Sequence, residues 1–256
     1  MRQIFIALFL LFATSCASLN FNINYVPEIT KIEISKIIVE GCDHILSYKD
    51  KILLCDGNSG KIIIGNEYSA REISTDPFSY ISVYSGKLAY RSLFDGVVYQ
   101  IDIESGVKKA MDIENGLSNI VIQSDDYCII EVYPEIGYFL RKYSKNVQKT
   151  AFEPPQGIVK EVKYKNGILG IMTNNSIILI DAMGNTIFND RTITANDFDI
   201  TNGGIIYIEN GDLYFSNGEK SILLGNSKNY EKVSIGEESI YLYDPFSGEI
   251  EVLKVK

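Results

Sequence analysis

The single histidine of the chain, His44, follows Asp43, and this is the only place where an imidazole–carboxylate pair could arise. Imidazole titrates near neutrality and can shuttle protons, so the pair would suit general acid–base work. Neighbouring residues on a strand point to opposite faces, however, and these two would meet only if the backbone turned between them. A structural histidine at a strand start is the plainer reading. No Gly-x-Ser-x-Gly elbow occurs, and a Ser–His–Asp triad would have to recruit this same histidine. Of the thiols, Cys42 and Cys55 either pair across neighbouring strands, leaving Cys128 free, or act as small hydrophobes in a β core, which is preferred. With one His and no Cys-x-x-Cys, nothing points to zinc. Asp95-Gly96, Asn202-Gly203-Gly204 and Asn210-Gly211-Asp212 would cradle phosphate only ahead of a helix; between strands they are hairpin turns. The 17 Tyr and 12 Phe could line a groove, but most alternate at core-facing spacing.

The elements that must position these groups are strands. From Thr30 onward the pattern has period two, rich in Ile and Tyr, and Gly, Asn, Asp and Ser punctuate it. No apolar helical pattern persists for three turns. The strands fall into groups of four, whose first members begin near residues 44, 80, 120, 159, 198 and 232. The spacings lie at the compact end of four-stranded propeller repeats of about 40–50 residues. The sixth group is one strand short, and residues 31–40 form an unpaired β segment before the first group. The expected fold is all-β, a six-bladed β-propeller whose last blade is closed by the N-terminal strand, since closure removes an open sheet edge. A two-sheet sandwich or a pair of small β domains is the competing architecture.

The N-terminus carries an address. Arg2, an apolar run from Ile4 to Phe12 and small residues before Cys16 make a secretory signal peptide, too short to span a bilayer, which takes about 20 apolar residues. Thr14-Ser15-Cys16 at the end of this core resembles the bacterial lipobox, with Ala13 where Leu is commonest. That resemblance implies lipidation of Cys16, cleavage before it and, with Ala17 rather than Asp next, an outer-membrane destination facing the periplasm. An ordinary signal peptide cut after Ala13, Ser15 or Ala17 is the alternative. The expected organisation is a leader at 1–15, a tether at 16–30 and a propeller domain at 31–256. Removing Arg2 takes the formal charge from −9 to −10. A chain this acidic has no electrostatic footprint for nucleic acid and no polybasic grip on anionic lipid.

Three turns share one chemistry: Asp56-Gly57-Asn58-Ser59-Gly60, Asp244-Pro245-Phe246-Ser247-Gly248 and Asp102-Ile103-Glu104-Ser105-Gly106. The Asp caps the turn and the Gly takes a positive φ. This motif resembles the inter-strand turn of quinoprotein-like (BamB-like) propellers. The chain departs from that family in having no Trp to dock between blades, so Tyr and Phe must fill those spaces. The resemblance implies a setting in envelope assembly or maintenance.

Propeller sites usually gather on the loops between blades, expected here at residues 41–43, 75–79, 112–119, 153–158, 189–197 and 225–230. Asp43, His44, Asp76, Asn119, Arg191 and Asp197 are the candidate binding residues there, with Asn115, Glu153, Gln156, Asn196 and Asn229 beside them. Carboxylates and amides around a channel could take Ca²⁺, as in six-bladed lactonases, although every such propeller has polar loops and fold does not imply function. No catalytic residue, metal or cofactor is assigned. The leading expectation is a monomeric, lipid-anchored, non-enzymatic scaffold for other envelope proteins. The alternatives are a small-ligand or metal-binding propeller and a lactonase-like hydrolase.

Overall fold

A computed structural model of the chain describes residues 29–31, 41–66, 69–112, 120–123, 128–133, 137–142, 149–152, 158–181, 183–225 and 229–255. Side chains are described along every strand except β1 and β11–β13 as defined below.

Alternating apolar residues between Gly- and Asn-marked turns produce six four-stranded antiparallel sheets. The closing strand β1 (Ile29–Lys31) comes first in the chain. The first full sheet is β2 (His44–Tyr48), β3 (Lys51–Asp56), β4 (Lys61–Gly65) and β5 (Ala70–Ser74). The second is β6 (Phe78–Tyr84), β7 (Lys87–Ser92), β8 (Val98–Asp102) and β9 (Lys108–Ala110). The third is β10 (Ile120–Gln123), β11 (Cys128–Tyr133), β12 (Gly137–Lys142) and β13 (Lys149–Phe152). Next come β14 (Val159–Lys165), β15 (Ile168–Thr173), β16 (Ile177–Ile180) and β17 (Thr186–Asp190), then β18 (Asp197–Ile200), β19 (Ile205–Glu209), β20 (Asp212–Ser216) and β21 (Ser221–Gly225). The last sheet holds β22 (Lys232–Ile235), β23 (Ser239–Asp244) and β24 (Glu249–Val255), and β1 adds to its outer edge.

In the closing pair, Ile29 stands opposite Val255, Thr30 opposite Lys254 and Lys31 opposite Leu253. The closing strand therefore begins inside the stretch expected as a tether, because Ile29 and Thr30 are the residues in register with the free edge of β24. Residues 32–40, expected in that strand, lie outside the described residues, as does the leader.

The first strands touch in a closed circle, β2 to β6, β10, β14, β18, β22 and back to β2. The architecture is a β-propeller, with first strands innermost. The chain reverses after each strand, so turns after first and third strands lie on one face, here the turn face. Second-to-third turns and the loops between sheets lie on the other, the loop face.

Most of the apolar core sits between successive sheets. One cluster joins Leu53, Cys55 and Ile62 of the first sheet to Phe78, Ile81 and Tyr90 of the second; another joins Ile168, Leu179 and Phe188 to Phe198, Ile200 and Tyr207. Tyr and Phe occupy these spaces in a chain without Trp: Tyr90, Phe198 and Phe215 are among the largest fully buried side chains. Cys42 and Cys55 are free, buried thiols, and burial pushes Cys42 up to about 11. The Cys128 side chain lies outside the described residues.

The shared turns form as their residues require. Asp56 accepts from the amides of Asn58 and Ser59 at 3.0 and 3.2 Å and from the Ser59 hydroxyl at 2.6 Å. Asp102 accepts from the Ser105 amide and hydroxyl at 2.8 Å, and Asp244 from the Phe246 amide at 2.8 Å. The closing glycines Gly60, Gly106 and Gly248 hold φ of 68°, 72° and 66°.

One close approach makes the packing testable. A Cβ on Gly170 of β15 would stand 2.7 Å from the Phe198 ring and 3.0 Å from Ile200 of the next sheet. Gly170→Ala should lower unfolding stability by about 1–3 kcal/mol through overpacking, read as a shifted denaturant midpoint with unchanged slope. An unshifted midpoint would mean that the ring gives way and the sheets are not closely fitted there.

Candidate functional site

An inner strand pairs with its own sheet on one edge and turns the other toward the axis. The N–H and C=O groups on that edge need partners. On β22 they find side chains from two other sheets. Asp197 of β18 accepts the Val233 amide at 2.8 Å, and Asp199, two residues on and so on the same strand face, accepts the Ile235 amide at 2.6 Å. Lys163 and Lys165 of β14, also two apart, reach from two sheets away. Lys163 Nζ donates to the Val233 carbonyl at 3.0 Å and pairs with Asp197 at 2.9 Å. Lys165 Nζ donates to the Ile235 carbonyl at 2.5 Å and lies 3.4 Å from Asp199. The result is a two-rung ladder of charge along the channel.

Hydroxyls add to this edge and serve another. Ser47 of β2 donates to the Ile235 carbonyl at 2.6 Å and accepts from Ser234 at 3.1 Å, while Ser82 of β6 accepts the Gln123 amide of β10 at 3.0 Å. Across the axis Tyr80 of β6 meets Glu161 of β14, and burial, then the Glu161 carboxylate, push its phenol well above the usual value. Burial alone would lower the Lys163 amine, but Asp197, Asp199 and Glu161 hold it above the usual lysine value. Lys165 stays below that value: burial outweighs Asp199, and Lys163 adds its own repulsion.

The ladder floors a cavity of about 360 Å³ on the turn face, where five of the inner strands end. Its wall carries Tyr48 and Lys49 after β2, Tyr84 and Ser85 after β6, Tyr164, Lys165 and Asn166 at the end of β14, Thr201 and Asn202 after β18, and Glu237 after β22. A narrower space of about 80 Å³, lined by Ser47, Tyr80, Ser82, Lys163, Asp199 and Ser234, lies further along the channel. Tight two-residue turns build the rim. Ser85-Gly86 and Asn166-Gly167 hold positive φ at both positions, and Lys49 does so at 54°. Tyr48 packs over Gly86, where a Cβ would meet its hydroxyl at 2.9 Å. Tyr84 and Tyr164 stand edge to face with centroids 5.8 Å apart. Val255, opposite Ile29 in the closing pair, also lines this cavity, so the closing strand enters from the turn face.

Of the residues expected on the loop face, Asp197 belongs to the charge ladder. Asp43 accepts the Gly57 amide at 2.9 Å, and His44 Nε2 donates to the Ser79 carbonyl at 3.0 Å with its ring edge-on to Tyr80. Each is engaged in joining strands rather than with the other. Asp76 pairs with Lys108 at 2.6 Å, and Arg191 is exposed in the loop before β18. Asn119, Asn115, Glu153 and Gln156 lie outside the described residues. The cavity is thus at the opposite mouth from the loops singled out in the sequence. Among the described residues, no three His, Cys, Asp or Glu side chains cluster to hold a metal ion. Lys163-x-Lys165 and Asp197-x-Asp199 were visible in the sequence as like charges at strand spacing on first strands.

No family model matches the chain, and no curated protein does. Solved structures do. A structural-genomics protein of unknown function from Bacteroides thetaiotaomicron is 8% identical with a TM-score of 0.65, over 90% of this chain and 76% of that one. Virginiamycin B lyase from Staphylococcus aureus is 12% identical at 0.54, over 80% and 77%. The WD40 β-propeller domain of Doa1 is 10% identical at 0.56, over 90% and 97%. At these identities the likeness shows the fold.

The ladder has a definite energetic signature. Asp197→Ala strands the buried Lys163 amine and the Val233 amide, and should cost about 3–5 kcal/mol in chemical unfolding. Asp199→Ala should cost less, because the Lys165 side chain is 27% exposed against 10% for Lys163. Lys163→Met with Asp197→Leu should cost less than Asp197→Ala alone. Since the folded Lys163 value is raised, its contribution is present below the ordinary 10.5 and fades as pH climbs past it. Equal losses for the single and paired variants would refute this account.

Proposed function

We propose that this chain is a non-enzymatic binding propeller of the bacterial envelope, six-bladed and lipid-anchored through Cys16, whose recognition element is the turn-face cavity. The observation that carries the reading is the convergence of three tyrosines, two lysines and two asparagines on one concave space over a rigid charged floor. Pockets of about 300–1,000 Å³ with a few converging polar groups are the usual receptors for small ligands. The polar atoms below the cavity are committed to holding strands together, which suits a stable floor rather than a reacting centre.

The location supports the same reading. Between Cys16 and Ile29 lie residues 17–28, and 13 Cα steps span at most about 45 Å. A membrane holding the lipid would therefore stand within that reach of the face bearing the cavity. A scaffold for other envelope proteins would be expected to show a contiguous apolar surface. Among the described residues, the exposed Leu93 and Phe94 share one turn of the loop face, while Ile158 and Phe246 lie there on two other sheets, which favours the cavity over that face as the recognition element.

Because the chain has no Trp, Tyr84→Trp places a unique fluorophore in the cavity wall, and Phe94→Trp places one on the loop face. In a screen of small neutral, anionic and cationic fragments, hits should shift the emission of the first variant and leave the second unchanged. Hits on neither, or on both alike, would refute the cavity as the recognition element. Separately, Cys16→Ala should move the protein from the membrane fraction to the soluble envelope fraction; unchanged fractionation would refute the anchor.

A further inference from the structure

The cavity proposed as the recognition element is chemically uneven, and the inference here rests on that reading. In a chain of formal charge −9, the described residues of its wall carry two ammonium groups, Lys49 and Lys165, and one carboxylate, Glu237. An ammonium has three donors. The contacts of Lys165 to the Ile235 carbonyl and toward Asp199 use two, and the side chain keeps 27% exposure on the cavity side. Burial holds this amine below its usual value, a cost that an incoming anion offsets.

Lys49 gives an independent pointer. It sits in the left-handed region at φ 54°, a conformation that Gly adopts without strain and a long side chain does not. At the same position of the corresponding turns after β6 and β14, Ser85 and Asn166 hold φ of 48° and 51°, so the turn sets the conformation and Lys49 is the long, charged side chain placed there. A lysine kept at such a position, with its ammonium 5.1 Å from the Tyr48 ring at the cavity rim, is placed for what it can reach. The size of the space sets the ligand. At about 30 Å³ per water-sized group, a cavity of about 360 Å³ holds on the order of a dozen non-hydrogen atoms. Among the described residues no arginine lines it to fork a phosphate, and Glu237 at the rim disfavours a polyanion.

We propose that the cavity binds a monocarboxylate on an aromatic body of roughly a dozen non-hydrogen atoms. Lys165 takes the carboxylate, Lys49 attracts it from the rim, and Tyr48, Tyr84 and Tyr164 pack against the ring. A free organic acid and the C-terminal residue of a peptide both present this group.

The test uses matched probes, 3-phenylpropionate and 3-phenylpropionamide, followed by protein-observed NMR titration. The acid should bind about tenfold or more tighter than the amide. Lys165→Met should weaken the acid by about ten- to a hundredfold, the range of a hydrogen bond to a charged group, and leave the amide unchanged; Lys165→Arg should restore part of the loss. Lys49→Gly should weaken the acid by up to about fivefold while the thermal midpoint holds or rises, which a structural role for Lys49 would not produce. Acetylated alanyl-phenylalanine with a free or amidated C-terminus separates the sources: tighter binding of the free peptide than of phenylpropionate assigns a peptide end, and the reverse a small acid. Equal binding of acid and amide, or an acid affinity indifferent to Lys165→Met, overturns the carboxylate inference and leaves the cavity reading standing. If neither matched probe binds while the fragment screen still finds cavity ligands, the carboxylate inference falls alone; silence in both experiments removes both.

Discussion

Six inner strands arranged in a ring each turn one backbone edge toward the axis, where neighbouring strands diverge too far to continue a ladder. A buried amide or carbonyl left without a partner costs about 1–3 kcal/mol, so a ring of such edges has to be answered by side chains. In this chain the answer is concentrated on β22. Asp197 and Asp199 take its amides, and Lys163, Lys165 and Ser47 take its carbonyls. The period of two along a strand is what allows one pair of lysines and one pair of aspartates to meet successive groups of the same edge. The axis is therefore polar and charged, while the spaces between sheets are apolar.

That division of labour gives the molecule its two unlike faces. On the loop face, Asp43 and His44 are spent on backbone groups of the turn after β3 and the start of β6. On the turn face, two-residue hairpins end β2, β6 and β14 abruptly, and the channel opens into the cavity there. The same hairpins bring tyrosines at the last strand positions to its wall. Lys165 belongs to both regions, holding the edge of β22 from below and facing the cavity from its floor.

The similarity to a lyase and to a WD40 domain alike fits this picture of a shared frame with separate uses. The frame requires sheets that fit closely and an axis whose polar groups are satisfied. It places few demands on side-chain identity at the channel mouth, and there this chain carries Lys49 where the corresponding turns carry Ser85 and Asn166.

Much of the fold was legible because strand signals are local. Period-two alternation and the Asp–Ser–Gly turns depend on residues a few positions apart, and they placed the strands of all six groups to within a few residues. The missing strand of the last group also followed, since an unpaired edge implies a donor; its position did not, because register with β24 selected Ile29–Lys31 rather than a later stretch. The site was less legible. Asp197 was singled out for its loop, yet its role comes from Val233 and Lys163, 36 and 34 positions away. Which mouth of the channel would be concave depended on how the ends of β2, β6, β14, β18 and β22 converge. The amino-acid sequence by itself determined strands, turns and the number of groups, because those rest on short-range backbone preferences. Only the tertiary structure decided which charges meet and where a cavity remains, because closing the ring sets the distances between residues that the chain keeps far apart.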